Sequence, residues 1–353
     1  MKNFTPIIII TGLFLAFTAC NDELDVNAEW ENIPVVYALM NQNDTVHYIK
    51  VNKAFLGDAT AQSMATESDS LFYDHATVYV NQMMNGNIVK RFDFVEVDTI
   101  PKPEETEEGE INFASDRNTI YVYVGEIEAS NNAGENYKYE LNVDVPGKDE
   151  KCTSEIELIR GASIINPSSF RQIAMDRFDT GKVNADYITG ENGNLYQMIF
   201  KFYYLEVNES GDTAKNLEPI TIEWPVNEST DPGQELPLSF SVDKFVDKLI
   251  EQVPEKEGVT RLVRYPNSVS FTLYAADEYF RIYSEINAPS GGVVQEKPFF
   301  TNINNGIGLF AARFTQTKYN AVTTATINEL STNDATSHLN FANQNNPYYQ
   351  SQR

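Results

Sequence analysis

Short stretches of alternating apolar and polar residues recur along this chain, and a period of two predicts strands. The first set is 33–39, 45–51, 76–80, 88–95, 119–124 and 137–145. Within Thr45–Val51, the residues Val46, Tyr48 and Lys50 fall on one face and His47, Ile49 and Val51 on the other. Turn residues separate the members: Asn41-Gln42-Asn43-Asp44, then Asn85-Gly86, then Pro146-Gly147. Asn-Gly is the strongest of these signals, because both positions of a tight hairpin need residues that tolerate positive φ. Short strands punctuated in this way predict an antiparallel β-sandwich over residues 32–150.

A second β-rich set follows over residues 151–326. Its strands are expected at 154–159, 195–207, 221–224 and 268–275, with Gln197–Tyr204 almost wholly apolar or aromatic. Two segments change period. Val242, Phe245, Val246, Leu249, Ile250 and Val253 form a helical stripe behind Ser241, a suitable N-cap, and Pro254 closes it. Tyr279, Ile282, Tyr283 and Ile286 form another, which predicts helices near 242–253 and 276–286 that pack on a sheet. Asn305-Gly306 reads as a turn, and Gly308 as a close backbone approach inside a strand beside Ile307, Leu309 and Phe310. A phosphate-binding loop there would need a following Lys-Ser/Thr, which is absent. From Ile327 the chain turns polar and rich in Asn and Gln, and 327–353 reads as a loosely docked tail.

The N-terminus has a different pattern. Lys2 precedes an apolar run, Ile7–Phe17, that is too short for a membrane-spanning helix and suited to a signal peptide. Thr18-Ala19-Cys20 then resembles a lipoprotein cleavage site, so 1–19 is expected to be removed and Cys20 to carry fatty-acyl chains such as palmitate. An ordinary cleaved signal followed by a chance cysteine is the alternative. Residues 20–31 read as a polar tether.

Composition sharpens this picture. The chain has 51 acidic and 26 basic side chains, a net charge of −25, which disfavours nucleic acid and docking on anionic membrane through a basic face. Solubility at an exposed surface is the plain reading of that charge, and affinity for calcium the sharper one. Tyr (19) and Phe (21) far outnumber Trp (2), an enrichment that favours strands. With Cys20 lipidated, Cys152 has no partner, so core packing and not a disulfide must hold the fold. Cys152 itself reads as a buried, inert thiol.

Candidate chemistry is sparse. His47, His75 and His338 stand outside any metal or nucleophile motif, and no catalytic signature appears. With so many acids, paired carboxylates for glycoside hydrolysis cannot be recognised without geometry. Glu191-Asn192-Gly193-Asn194 and Asn208–Asp212 offer oxygen ligands but lack full calcium-loop spacing, so they read as turns. Tyr203, Tyr204 and Trp224 are the aromatics to inspect for sugar stacking, with strand-core packing as the plainer reading. No cofactor and no enzyme activity are expected.

The cluster Asn21-Asp22-Glu23-Leu24-Asp25 after Cys20 resembles the surface-export signal of Bacteroidota lipoproteins. Asp-Thr or Asp-Ser followed by an apolar or small residue, centred on Thr45, Ser70, Thr99 and Thr213, resembles the O-glycosylation signal of that phylum. Ile33–Leu39 with Thr45–Gly57, then Asp69–Tyr73, then Ser270–Tyr283 with Pro298–Phe310, resemble a family of uncharacterised Bacteroidota outer-membrane lipoproteins. The resemblance implies an immunoglobulin-like N-terminal sandwich, a place in the outer membrane facing the exterior, and genes often set near TonB-dependent transporters. It implies a non-enzymatic accessory or binding subunit of such an uptake system, with a β-barrel transporter as partner. A stand-alone glycan- or peptide-binding lipoprotein is the alternative, and a glycoside hydrolase a more distant one.

Overall fold

A computed structural model describes residues 32–54, 64–99, 117–130, 134–214, 217–288 and 299–350. The protein is mainly β. Its strands are β1 (Pro34–Met40), β2 (Val46–Lys53), β3 (Thr77–Met84), β4 (Asn87–Val97), β5 (Ile120–Val124), β6 (Lys138–Asp144), β7 (Cys152–Glu157), β8 (Ser163–Asn166) and β9 (Lys182–Ile188). There follow β10 (Leu195–Phe202), β11 (Tyr204–Asn208), β12 (Thr213–Ala214), β13 (Ile220–Glu223), β14 (Asn227–Glu228), β15 (Glu235–Ser241), β16 (Val259–Val263), β17 (Val269–Ala276) and β18 (Ile307–Asn320). The helices are α1 (Ser68–Leu71), α2 (Val242–Gln252), α3 (Glu278–Asn287), α4 (Thr324–Thr332) and α5 (Pro347–Gln350).

Twelve strands form one sheet in the order β13-β10-β17-β18-β1-β2-β5-β4-β3-β6-β7, with β14 paired to β10. β12-β11-β16 and β15-β9-β8 form two smaller sheets. Strand β4 pairs with β3 along most of its length and with β5 at Val95–Val97, so it passes from one half of the large sheet to the other. Beyond it β7 returns to the start of β18, where Thr153 and Asn304 exchange two backbone hydrogen bonds. Inward residues such as Val36, Ile49, Val80, Phe92, Tyr139 and Leu141 share one apolar cluster with Phe200, Phe271 and Phe310. Asn85 and Gly86, at φ 49° and 77°, make the tight β3–β4 turn that the Asn-Gly pair predicts.

The join between the two halves departs from a purely antiparallel plan. β1 runs parallel to β18, pairing Val36 with Gly308 and Tyr37 with Leu309. Gly308 sits at φ +122°, and a Cβ there would lie 1.9 Å from the Val36 carbonyl oxygen, so only glycine lets the two backbones meet. The boundary expected after 150 falls within the β6–β7 hairpin. The strand near 154–159, expected to open the second set, is therefore β7, the end strand of the large sheet beside β6. The expected 195–207 strand is two strands, because at Tyr203 the chain leaves the large sheet for a small one.

Over its described residues, 327–350, the expectation of a loosely docked 327–353 tail fails. Helix α4 opens at Thr324, with Thr323 accepting from the Thr326 amide as N-cap, and buries Ile327 and Leu330. Leu339 and Phe341 are buried too, and Phe341 packs against Phe202 and Tyr204. Arg261, fully buried, pins this segment. It donates to the carbonyls of Leu339 and Pro254, both at 2.7 Å, and twice to Glu206. Burial pushes the Glu206 carboxyl up, but the hydrogen bonds and charges of Lys256 and Arg261 outweigh it and hold Glu206 below its ordinary value.

Candidate functional site

Helix α3 shapes a concave surface on the large sheet. β17 ends at Ala276, and Asp277 turns the chain into α3 as its N-cap. The Asp277 carboxylate accepts from the Phe280 amide at 2.9 Å and from the Ala312 amide at 2.7 Å, which ties the helix start to β18. Burial raises this carboxyl to about 6, although both amides pull it the other way.

The helix lies against β18 on the outer face of the large sheet. Residues paired across neighbouring strands share a face. One row on this face is Gln197, Tyr274 and Thr315, and the next is Leu195, Ala276 and Arg313. These rows floor a cleft of about 520 Å³. Phe280, Arg281, Ser284 and Glu285 of α3 form one wall, and Val226 and Glu228 the other. Its lining is mostly carbon, and the two arginines at its rim are paired. Arg281 donates to Glu285 at 2.7 Å and lies 3.9 Å from Glu278, while Arg313 reaches Asp44 at 2.6 Å.

A hollow of about 400 Å³ lies on the other side of α3, between Tyr37, Leu39, Val46, Tyr48 and Tyr283. Phe280 and Arg313 border both spaces. Tyr37 and Tyr283 meet edge to face with centroids 6.1 Å apart, and burial with the Tyr283 contact raises the Tyr37 hydroxyl to about 12. Tyr48 pairs with Val122, which pairs with Val95, so the apolar strip continues onto an open part of the sheet. Val95 and Val124 are 67% and 72% exposed there.

The sequence candidates fall elsewhere. Cys20 lies outside the described residues. Thr45, Thr99 and Thr213 are exposed, while Ser70 is half-buried in α1. His47 is buried, with Nε2 3.1 Å from the Gly125 carbonyl oxygen, and burial lowers its pKa. His75 and His338 are exposed and far apart in the fold's order of elements. Cys152 is fully buried, donates to the Asn305 carbonyl at 3.2 Å, and has its thiol pushed up by burial.

Of the three aromatics, Tyr204 and Trp224 are core residues, and only Tyr203 is half-exposed. Glu191 is held by Arg160 and Asn136, and Asn192 donates to Glu157. Asn208 and Asp212 bond to each other across a turn. Among the described residues no three or more His, Cys, Asp or Glu side chains gather as a metal site would require.

Sequence reasoning missed the cleft because its parts come from β10, the β14 region, β17, β18 and α3. The signal that pointed nearest was the 279/282/283/286 stripe. It was expected to pack away on a sheet, but none of its residues is buried. No family model matches the chain, and no curated protein does.

Proposed function

We propose that this protein is a non-enzymatic accessory or binding subunit, anchored at the outer membrane by lipid on Cys20 and facing the cell exterior. Its partner is a TonB-dependent β-barrel transporter. The observation that carries the reading is the apolar strip from Val95 and Val124 through Tyr48 and Tyr37 to α3. A contiguous apolar surface beside paired charges marks an interaction site. On a chain of net charge −25, self-association through that face is opposed by repulsion, which favours a different partner. The signal-like N-terminus and the acidic cluster after Cys20 support the location.

The test is recovery of the tagged protein from crosslinked outer membranes, with mass spectrometry of its partners. Stoichiometric capture of one β-barrel transporter, lost in Tyr48→Glu, supports the accessory role. Capture of the bait alone overturns it. A stand-alone glycan- or peptide-binding role is the second reading, favoured by Tyr37, Tyr48, Tyr274 and Tyr319 standing exposed on strands of one sheet. Exposure of Thr45, Thr99 and Thr213 supports O-glycosylation, and an intact mass of the mature chain without added sugar refutes it.

A further inference from the structure

The cleft beside α3 and the Tyr37–Tyr48 hollow share Leu39, Phe280 and Arg313 and are otherwise lined by different residues. Its volume, about 520 Å³, falls in the range that holds a small molecule. Unlike the open strip, it is walled on two sides and floored by three strands. Three properties define what fits it.

Leu195, Val226, Tyr274, Ala276 and Phe280 present carbon to the interior. The two arginines around it are already satisfied in pairs, Arg281 by Glu285 and Arg313 by Asp44, while Glu228 stands outside these pairs at the exposed edge of the other wall. An anionic ligand would have to break one of those pairs and face Glu228, and a cationic one would bury its charge against carbon with only the solvent-exposed Glu228 as partner; either costs free energy. A sugar, with a hydroxyl on nearly every carbon, would lose more hydrogen bonds to water than the few polar side chains of this lining, Gln197, Ser284 and Thr315, can replace.

We propose that the cleft is a binding site for an uncharged, apolar small molecule, whose hydrocarbon body lies between the Tyr274 and Phe280 rings. This deepens the binding half of the proposed function and does not require the transporter half.

The probe is N-phenyl-1-naphthylamine, an uncharged apolar fluorophore. It is titrated into the full mature chain carrying Cys20→Ser, which removes lipid that would itself take up the probe. Wild-type surroundings are expected to give saturable fluorescence at one probe per chain. Ser284→Trp fills the cleft from the helix wall, and Val226→Arg charges the opposite wall at an exposed position. Each is expected to weaken binding at least tenfold with an unchanged urea midpoint. Tyr48→Ala, in the other hollow, is expected to bind within twofold of the parent.

The anionic relative 8-anilinonaphthalene-1-sulfonate is expected to bind at least tenfold more weakly. Non-saturable fluorescence, retention of binding in both wall variants, or equal affinity for the anionic probe overturns the proposal. A loss in Tyr48→Ala equal to that in the wall variants overturns it as well, because the probe would then be reading the open strip. Saturable binding with no transporter in the crosslinked capture leaves this site standing and removes only the accessory role.

Discussion

Helices α2 and α3 have the same apolar periodicity and opposite fates. In α2, Val242, Phe245, Val246 and Leu249 are all buried, and the Phe245 ring meets those of Phe200 and Phe202 at 6.2 and 5.0 Å. In α3, Tyr279, Ile282, Tyr283 and Ile286 remain partly or largely exposed. The difference lies in what each helix meets. α2 is flanked by β13 and β15 over the inner aromatic core. α3 rests against β18 on the outer face, with space on both sides. An amphipathic stripe therefore reports that a helix has an apolar face, and not that the chain itself covers it.

That contrast makes its largest predictions at α2. Phe245→Ala should cost about 3–5 kcal/mol, the usual range for a buried phenylalanine whose site cannot collapse. Arg261→Ala should cost about 3 kcal/mol, because it leaves the buried Glu206 carboxylate with Lys256 alone and frees the Leu339 and Pro254 carbonyls, the latter just beyond the end of α2. Urea unfolding of the two variants measures both. A loss below about 1 kcal/mol in either would mean that α2 is not the structural member of the pair.

Asp277 supplies a smaller effect with a sign that sharpens the contrast. Its folded carboxyl titrates at about 6, against about 4 in an unfolded chain. Burial is the main cause, Glu278 adds to it, and the Phe280 and Ala312 amides oppose it. Folding therefore favours the protonated acid. The contribution is fully present below pH of about 4 and is lost as pH rises through about 6, amounting to about 3 kcal/mol at most for a two-unit shift. Asp277→Asn places an amide against the Ala312 amide, costs about 1–2 kcal/mol, and removes the titration. Unfolding at pH 4, 5, 6 and 7 should show the wild type's advantage over the variant shrinking as pH rises and closing or reversing by pH 7, since about 3 kcal/mol is lost against a cost of about 1–2 kcal/mol. A gap of constant size would refute the titration assignment.

Local rules carried much of this fold and little of the site. Asn85-Gly86, the 242–252 stripe and Gly308 were legible because each depends on backbone chemistry within a few residues. Ile250, counted in the buried stripe, is 42% exposed because five apolar positions already fill the face that meets the core. The β1–β18 pairing was not legible, since it joins residues some 270 positions apart with no local mark beyond Gly308. The C-terminal segment misled because its few apolar residues, Leu339 and Phe341, are diluted by Asn and Gln but held by Arg261. Tyr204 and Trp224 followed the plainer of their two readings and pack in the core, while Tyr203 stays half-exposed, a division that alternation alone cannot assign because it does not say which face of a strand is covered. The cleft was out of reach because no two of its walls are neighbours in sequence.

The smallest predicted stability effect is the one that decides the comparison. Tyr283→Ser should cost about 1 kcal/mol or less, being mainly the edge-to-face contact with Tyr37. Ile282→Gln should cost no more, because that side chain is only half-buried. If the exposed face of α3 exists for a partner, the double variant should keep its urea midpoint close to the parent and lose the crosslinked transporter. If instead it unfolds as readily as Phe245→Ala, α3 is a structural helix whose cover forms within the chain, and the two helices differ in degree and not in kind. Retention of both stability and partner would place the contact on the Val95–Val124 end of the strip, away from the helix. Stability and capture must therefore be read on the same variant, because only their separation distinguishes a face kept open for binding from a face that is merely less buried.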